Sequence, residues 1–323
     1  MMFRTALAAF STGLLLAGCG GAAPASSPEE QAAFPTERIR LIVPYTAGGP
    51  TDIAARALAQ YMEGDLGQTV LVETKPGASG ATAYQELIAA EPDGYTLSMF
   101  ALPTAVLNYL TNDVGYTKDS FVPIGSVTQV PSAIVVPADS PHRTAADLFA
   151  AAKADPGKVT VGTPGSTNTH AAETRRITQE YGIPLTVVPF NGNAEVQTAL
   201  LGKNVTAGFL NMSQDVLPAL ESGALRALAV GTPGRLDYVD APTLVELGFP
   251  ALTQSTTTFG VVAPKGTPEL VVAKLEASMR AALQDAAVVK TLDPRYVNGF
   301  LDRQDLVALF IDVERTFKDV PTG

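Results

Sequence analysis

Apolar residues along this chain fall alternately into short runs and helical stripes. Residues 39–44 form an apolar run that Gly48-Gly49-Pro50 closes, after which Ile53, Ala57, Leu58, Tyr61 and Met62 recur at helical spacing. Residues 70–73 make the next run, Tyr84, Leu87 and Ile88 the next stripe, and 95–100 a third run after the stop Pro92-Asp93-Gly94. The middle of the chain repeats this alternation. Runs at 133–137, 158–162, 185–190, 205–209 and 225–230 predict strands. Thr144-x-x-Asp147 reads as a capping box, Gly182-Ile183-Pro184 as a helix stop, 194–201 as a helix and Ser213 as the cap of another. The last third returns to one strand at 259–264. A helix begins at Thr267-Pro268-Glu269, a cap followed by proline at the first helical position, and Leu306, Val307, Phe310 and Ile311 mark a C-terminal amphipathic helix. Strand, helix and strand at this spacing predict α/β architecture: parallel strands with crossover helices in two doubly wound lobes of roughly 100–150 residues each.

Composition narrows the function. Of 323 residues, 46% are hydrophobic and 17% charged, enough apolar surface for two cores. The balance of 22 basic to 32 acidic residues gives a net charge of −10, without the basic stripe that nucleic acid requires. No nucleic-acid partner is expected.

The N-terminus reads as an export signal. Arg4 precedes an apolar stretch over 6–17 centred on Leu14, Leu15 and Leu16, too short to span a membrane. Leu16-Ala17-Gly18-Cys19 resembles a bacterial lipobox, in which the cysteine is acylated. Residues 1–19 are thus a lipoprotein signal peptide with its lipobox, Cys19 the lipidation site, and 20–36 a flexible tether. The alternative is an ordinary secretory signal with an incidental cysteine. Cys19 is the chain's single cysteine, so no internal disulfide can form.

The candidate site lies in loops at the carboxyl ends of the expected strands, where open α/β sheets bind ligands. Tyr45, Thr46, Ala47, Gly48, Gly49, Thr51 and Asp52 belong to the first such loop. Thr163, Ser166, Thr167, Asn168 and His170 belong to another, Asn191 and Gly192 to a third, and Asn211 to a fourth. Each loop opens an expected helix, whose unpaired N–H groups and positive dipole end suit an anion. These residue types also favour plain turns and caps. Asp52 opposes a ligand carboxylate and is as well suited to capping its own loop or pairing with Arg56 one turn on. Ser79, in Pro76-Gly77-Ala78-Ser79-Gly80, is a weaker candidate for the same cleft.

Catalytic patterns are scarce. His142 and His170 are the two histidines, without helical metal-site spacing, and Gly165-Ser166-Thr167 is not a nucleophile elbow. The expectation is a binding protein, not an enzyme, with neither cofactor nor metal.

Pro44-Tyr45-Thr46-Ala47-Gly48-Gly49-Pro50-Thr51-Asp52-Ile53-Ala54-Ala55-Arg56 resembles the opening motif of the Bug receptors, the extracytoplasmic solute-binding proteins of tripartite tricarboxylate transporters. Further likenesses follow in order, among them Lys75-Pro76-Gly77-Ala78-Ser79-Gly80, Pro92-Asp93-Gly94-Tyr95, Val188-Pro189-Phe190-Asn191-Gly192, Pro242-Thr243-Leu244 and Ala263-Pro264-Lys265-Gly266-Thr267-Pro268. The resemblance covers about residues 38–317. It implies a Venus-flytrap, type II-like periplasmic-binding-protein fold, with 37–132 and 256–323 as one lobe and 133–255 as the other. It also implies a small organic (di)carboxylate held between 45–52 and 163–170 and delivered to membrane permease subunits by a periplasmic receptor; with the lipobox, the expectation is a lipid-anchored monomer. Two features depart from the family pattern: the lipobox, and Thr258, where relatives often carry an aromatic residue. Two other readings stay open: a sensing receptor for another solute (an aromatic acid, amino acid or nucleobase) and a lipoprotein serine hydrolase using Ser166 and His170.

Overall fold

The apolar runs become ten strands in two five-stranded sheets among the described residues of the computed structural model, which describes residues 27–252, 255–297 and 299–318. In chain order the strands are β1 (Ile39–Val43), β2 (Val70–Thr74), β3 (Thr96–Leu102), β4 (Phe121–Val130), β5 (Ser132–Pro137), β6 (Thr160–Thr163), β7 (Thr186–Pro189), β8 (Ala207–Asn211), β9 (Leu225–Val230) and β10 (Thr257–Pro264). The first sheet has the order β2-β1-β3-β10-β4 and the second β7-β6-β8-β5-β9. The chain changes sheet across Pro131, between β4 and β5, and returns between β9 and β10.

Both sheets are mixed where the alternation predicts parallel strands. β1 pairs in parallel with β2 and β3, and β6 with β7 and β8. The exceptions are the strands that enter from the other lobe: β10 runs antiparallel to β3 and β4, and β5 antiparallel to β8 and β9. Such a strand arrives without the crossover helix that would return the chain in the same direction, so nothing imposes parallel pairing on it.

Helices cover the sheets with their apolar faces. Pro50–Leu66 buries Ala54, Ala55, Leu58 and Met62, and Arg303–Phe317 buries Leu306, Phe310, Val313 and Phe317. The Thr144–Asp147 capping box forms as read, each side chain accepting a backbone N–H from the other end. Ser213 does not cap a helix. Its hydroxyl bonds Asp215, and the next helix, Leu217–Glu221, begins after Val216. Pro268 is the N-cap of Glu269–Ala282, one position before the site expected for it. Part of the expected tether is structured: Pro28–Ala33 is helical, and Phe34 is buried against Tyr95 at 5.0 Å between ring centroids. An aromatic ring with a partner recovers the entropy of ordering that small polar residues cannot. The signal, the lipobox and Cys19 lie outside the described residues. Among those residues, no helix is long and apolar enough to cross a membrane.

Candidate functional site

Four helix N-termini meet at one cavity between the lobes. Gly49 and Pro50 open Pro50–Leu66, Thr104 opens Thr104–Thr111, Asn168 caps Thr169–Tyr181, and Asn193 opens Asn193–Leu201; all line it. The first two helices follow β1 and β3 of one sheet, the others β6 and β7 of the second. The cavity has an empty volume of about 350 Å³, including the solvent at its mouth. The first-turn N–H groups of a helix lack intrahelical acceptors, and the dipole places partial positive charge there. Four such ends give a positive potential without any cation, and no lining residue is charged.

Among the candidate residues, Tyr45, Gly49, Thr51, Asn168, His170 and Asn211 line this cavity. Two of them carry a buried nitrogen without a hydrogen-bond partner. Asn168 uses its Oδ1 to cap the N–H of Ala171 at 2.8 Å and leaves Nδ2 unpaired. His170 meets Ser132 Oγ through Nε2 at 2.7 Å and leaves Nδ1 unpaired. Burial in an apolar setting, against the Phe209 ring at 5.3 Å, lowers the His170 pKa to about 3 and keeps the ring neutral at ordinary pH. Burial also pushes the Tyr45 phenol upward, so it stays protonated.

The remaining candidates sit around the cavity. Ala47 and Gly48 are exposed. Asp52 is buried and caps its own loop: its carboxylate accepts from Gly48 N at 2.9 Å and pairs with Arg56 at 2.9 Å. Thr163 Oγ1 donates to Gly165 O at 2.7 Å and shapes the turn. Ser166 and Asn191 are exposed. His170 pairs with Ser132 and not with Ser166, so the Ser166–His170 pair of the hydrolase reading is not formed.

Several of these outer residues join the lobes. Ser79 Oγ accepts from the N–H groups of Ser166 at 2.9 Å and Thr167 at 3.2 Å, across the cleft. Ser79 adopts the left-handed conformation (φ 53°, ψ 33°), and its carbonyl accepts from Asn108 Nδ2 at 2.9 Å. Asn108 Oδ1 in turn accepts from Thr167 Oγ1. On the opposite side, Thr46 N donates to Asn191 O at 3.4 Å. Ser79 thus fastens the lobes and does not line the cavity. Ser79→Ala should leave two N–H groups without their acceptor and weaken solute binding about fivefold, close to 1 kcal/mol; unchanged affinity by calorimetry would remove this role.

Pro50, Ala101, Thr104, Pro164, Asn193, Thr257 and Phe259 also line the cavity and were not among the candidates. Thr257 and Phe259 are two apart on β10 and share a face, whereas Thr258 between them is not a lining residue. Period-2 reading of that strand could have found them. Thr104 gives no such signal, because the apolar stretch around it hides the change from strand to helix.

A family model described as "Tripartite tricarboxylate transporter family receptor" matches residues 54–318. The chain is similar to Protein BugT of Bordetella pertussis, 34% identical over 286 residues that cover 86% of this chain and 85% of that one. Among solved structures it resembles MatC from Rhodopseudomonas palustris with bound malate (TM-score 0.81, 27% identity, 89% of this chain and 99% of that one). It also resembles a second R. palustris protein, solved with adipate (TM-score 0.80, 28% identity, 89% of this chain and 97% of that one).

Proposed function

This chain belongs to the tripartite tricarboxylate transporter receptor family, and from that premise we propose that it captures a small organic mono- or dicarboxylate between its lobes. The family is one of periplasmic solute-binding receptors, not of enzymes. The observation that carries the proposal is the uncharged cavity at four helix N-termini, with buried Asn168 Nδ2 and His170 Nδ1 left for a guest. A carboxylate takes its charge into the fold and is met by neutral donors from both lobes. Those donors come as N–H groups and one amide, a set that favours an acceptor-only guest. The solute complexes of the two R. palustris proteins support the same class.

Binding shifts an open–closed equilibrium toward the closed form, in which residues 37–132 with 256–323 and residues 133–255 move as the two lobes. The closed receptor delivers its solute to membrane permease subunits of a tripartite transporter, and acylated Cys19 tethers it to a membrane. Mass spectrometry of the mature N-terminal peptide tests the anchor.

Calorimetry across acids of two to six carbons, with uncharged amides as controls, tests the solute class. At least one acid binds and its amide does not; amides binding as well as acids would overturn the proposal. Asn168→Ala should weaken the best acid about tenfold, since a hydrogen bond to a charged group contributes about 1.5 kcal/mol.

A further inference from the structure

We propose that Asn211 and Ser132 form a relay that fixes His170 as its Nδ1–H tautomer, presenting the cavity with a neutral ring donor that selects a solute bearing an acceptor at that point. The relay is a statement about this chain's own hydrogens; its consequence for selection rests on the carboxylate reading above.

Geometry sets the direction of each bond. Asn211 Nδ2 lies 3.3 Å from Val130 O, 2.9 Å from Thr257 Oγ1 and 3.0 Å from Ser132 Oγ. A carbonyl oxygen only accepts, so Val130 requires the nitrogen, not the oxygen, of the Asn211 amide on this side. An amide nitrogen donates and does not accept. The amide's two hydrogens are shared among these three oxygens, so Ser132 Oγ faces a donor to which it cannot give its own hydrogen, and it must place that hydrogen elsewhere. His170 Nε2 stands 2.7 Å from that oxygen. If Ser132 donates there, Nε2 is the unprotonated nitrogen, and a neutral imidazole then carries its hydrogen on Nδ1. Nδ1 is the buried ring nitrogen without a partner on a residue that lines the cavity. The burial that keeps the ring neutral removes the third possibility, a doubly protonated imidazolium.

The same arrangement explains why a serine beside a histidine is not a nucleophile here. Ser132 is fully buried and is not a lining residue, so it does not meet the solute. A ring this weakly basic would not draw off the serine proton. Ser132 and Asn211 act on the solute through His170; they are positioning residues. The relay starts where the chain crosses between lobes: Val130 ends β4, Ser132 begins β5 and Thr257 begins β10. The ring's hydrogen is thus oriented from the segments that cross between the lobes and not from the loops at the rim of the cleft.

Imidazole-¹⁵N NMR of the full-length protein tests this directly, because the chain has two histidines and His142→Gln leaves one ring to observe. In solute-free protein, His170 is expected to show a protonated Nδ1 and an unprotonated Nε2. Ser132→Ala should turn this into a tautomer mixture or the Nε2–H form and weaken malate binding about tenfold. Ser132→Thr, which keeps the hydroxyl, should restore both. An Nε2–H ring in the unaltered protein, which needs no variant to fold, would overturn the relay, as would an unchanged tautomer in a folded Ser132→Ala protein. Acid binding alongside the wrong tautomer would sink the relay and leave the carboxylate reading standing. The expected tautomer without binding of any acid in the panel would keep the relay and remove its role in solute selection.

Discussion

Alanine at position 192 is expected to weaken solute binding roughly 30- to 150-fold while the lobes themselves stay folded. Gly192 has φ 173°, extended backbone that any residue adopts, so the substitution brings no conformational strain. A Cβ there would lie 2.4 Å from Thr46 Oγ1 and 3.2 Å from Thr46 N. Both atoms belong to the other lobe, and one is backbone that cannot turn aside. The clash therefore exists in the closed form and disappears when the cleft opens. Overpacking of this kind costs about 2 to 3 kcal/mol, charged here against closure and hence against affinity. Thr46→Ala in the same chain removes the nearer contact and should recover part of the loss. Gly165→Ala meets a similar obstacle, Ser79 Oγ at 2.5 Å, but adds strain at φ +137°, which makes Gly192 the cleaner test. Calorimetry gives the affinity and small-angle scattering the closure. Unaltered binding by Gly192→Ala would mean that the lobes do not close on this contact.

How far the sequence reveals this molecule depends on the kind of signal each residue carries. Alternation of strands and helices is a periodic signal, and it locates nine of the ten strands to within a few residues. The missing one, β4, reads FVPIGSVTQV, and Pro123 and Gly125 both argue against a strand. It is tolerated because β4 is an edge of its sheet, where a residue without an N–H leaves no interior ladder broken. For the site, glycine- and hydroxyl-rich loops point to the correct ends of the sheets. They do not separate residues that line the cavity from residues that fasten the lobes across it. Ser79, Thr167 and Gly192 have the same local chemistry as true lining residues, and only the relative placement of two lobes assigns them to closure. Asn193 shows a related limit, because its role comes from a partner 18 residues along the chain, the Asn211 carbonyl that its Nδ2 meets. Ser132 is the extreme case. Nothing around Pro131-Ser132-Ala133 in the sequence indicates that its hydroxyl meets a histidine 38 residues away.

Lowering the pH below 6.5 should destabilise the protein through His170 by about 2 kcal/mol on reaching pH 5, and on the order of 4 kcal/mol on approaching pH 3. The ordinary value of 6.5 describes the unfolded chain, whereas burial holds the folded ring at about 3. Between these values the unfolded protein binds a proton that the folded protein refuses. The contribution is thus complete above pH 6.5 and is lost as pH falls through the window. The carboxylates of Glu86 and Asp293, held low by Arg40 and by Arg295, lose their contribution only when they begin to protonate, below the His170 window's upper half. Asp215 acts with the opposite sign: burial raises its pKa, so folding takes up a proton there and partly offsets the loss at the acid end. His170→Gln isolates the effect, since glutamine cannot titrate. Denaturant melts at pH 7, 6 and 5 should show a stability gap between the two proteins that closes, or reverses, with acid, slowly at first and approaching about 1.4 kcal/mol per pH unit only below pH 6. Parallel pH dependence in the two proteins would show that the ring accepts a proton in place. The imidazole would then be a cation available to the solute, and affinity for acids would rise with falling pH instead of following the neutral-donor chemistry of the cavity.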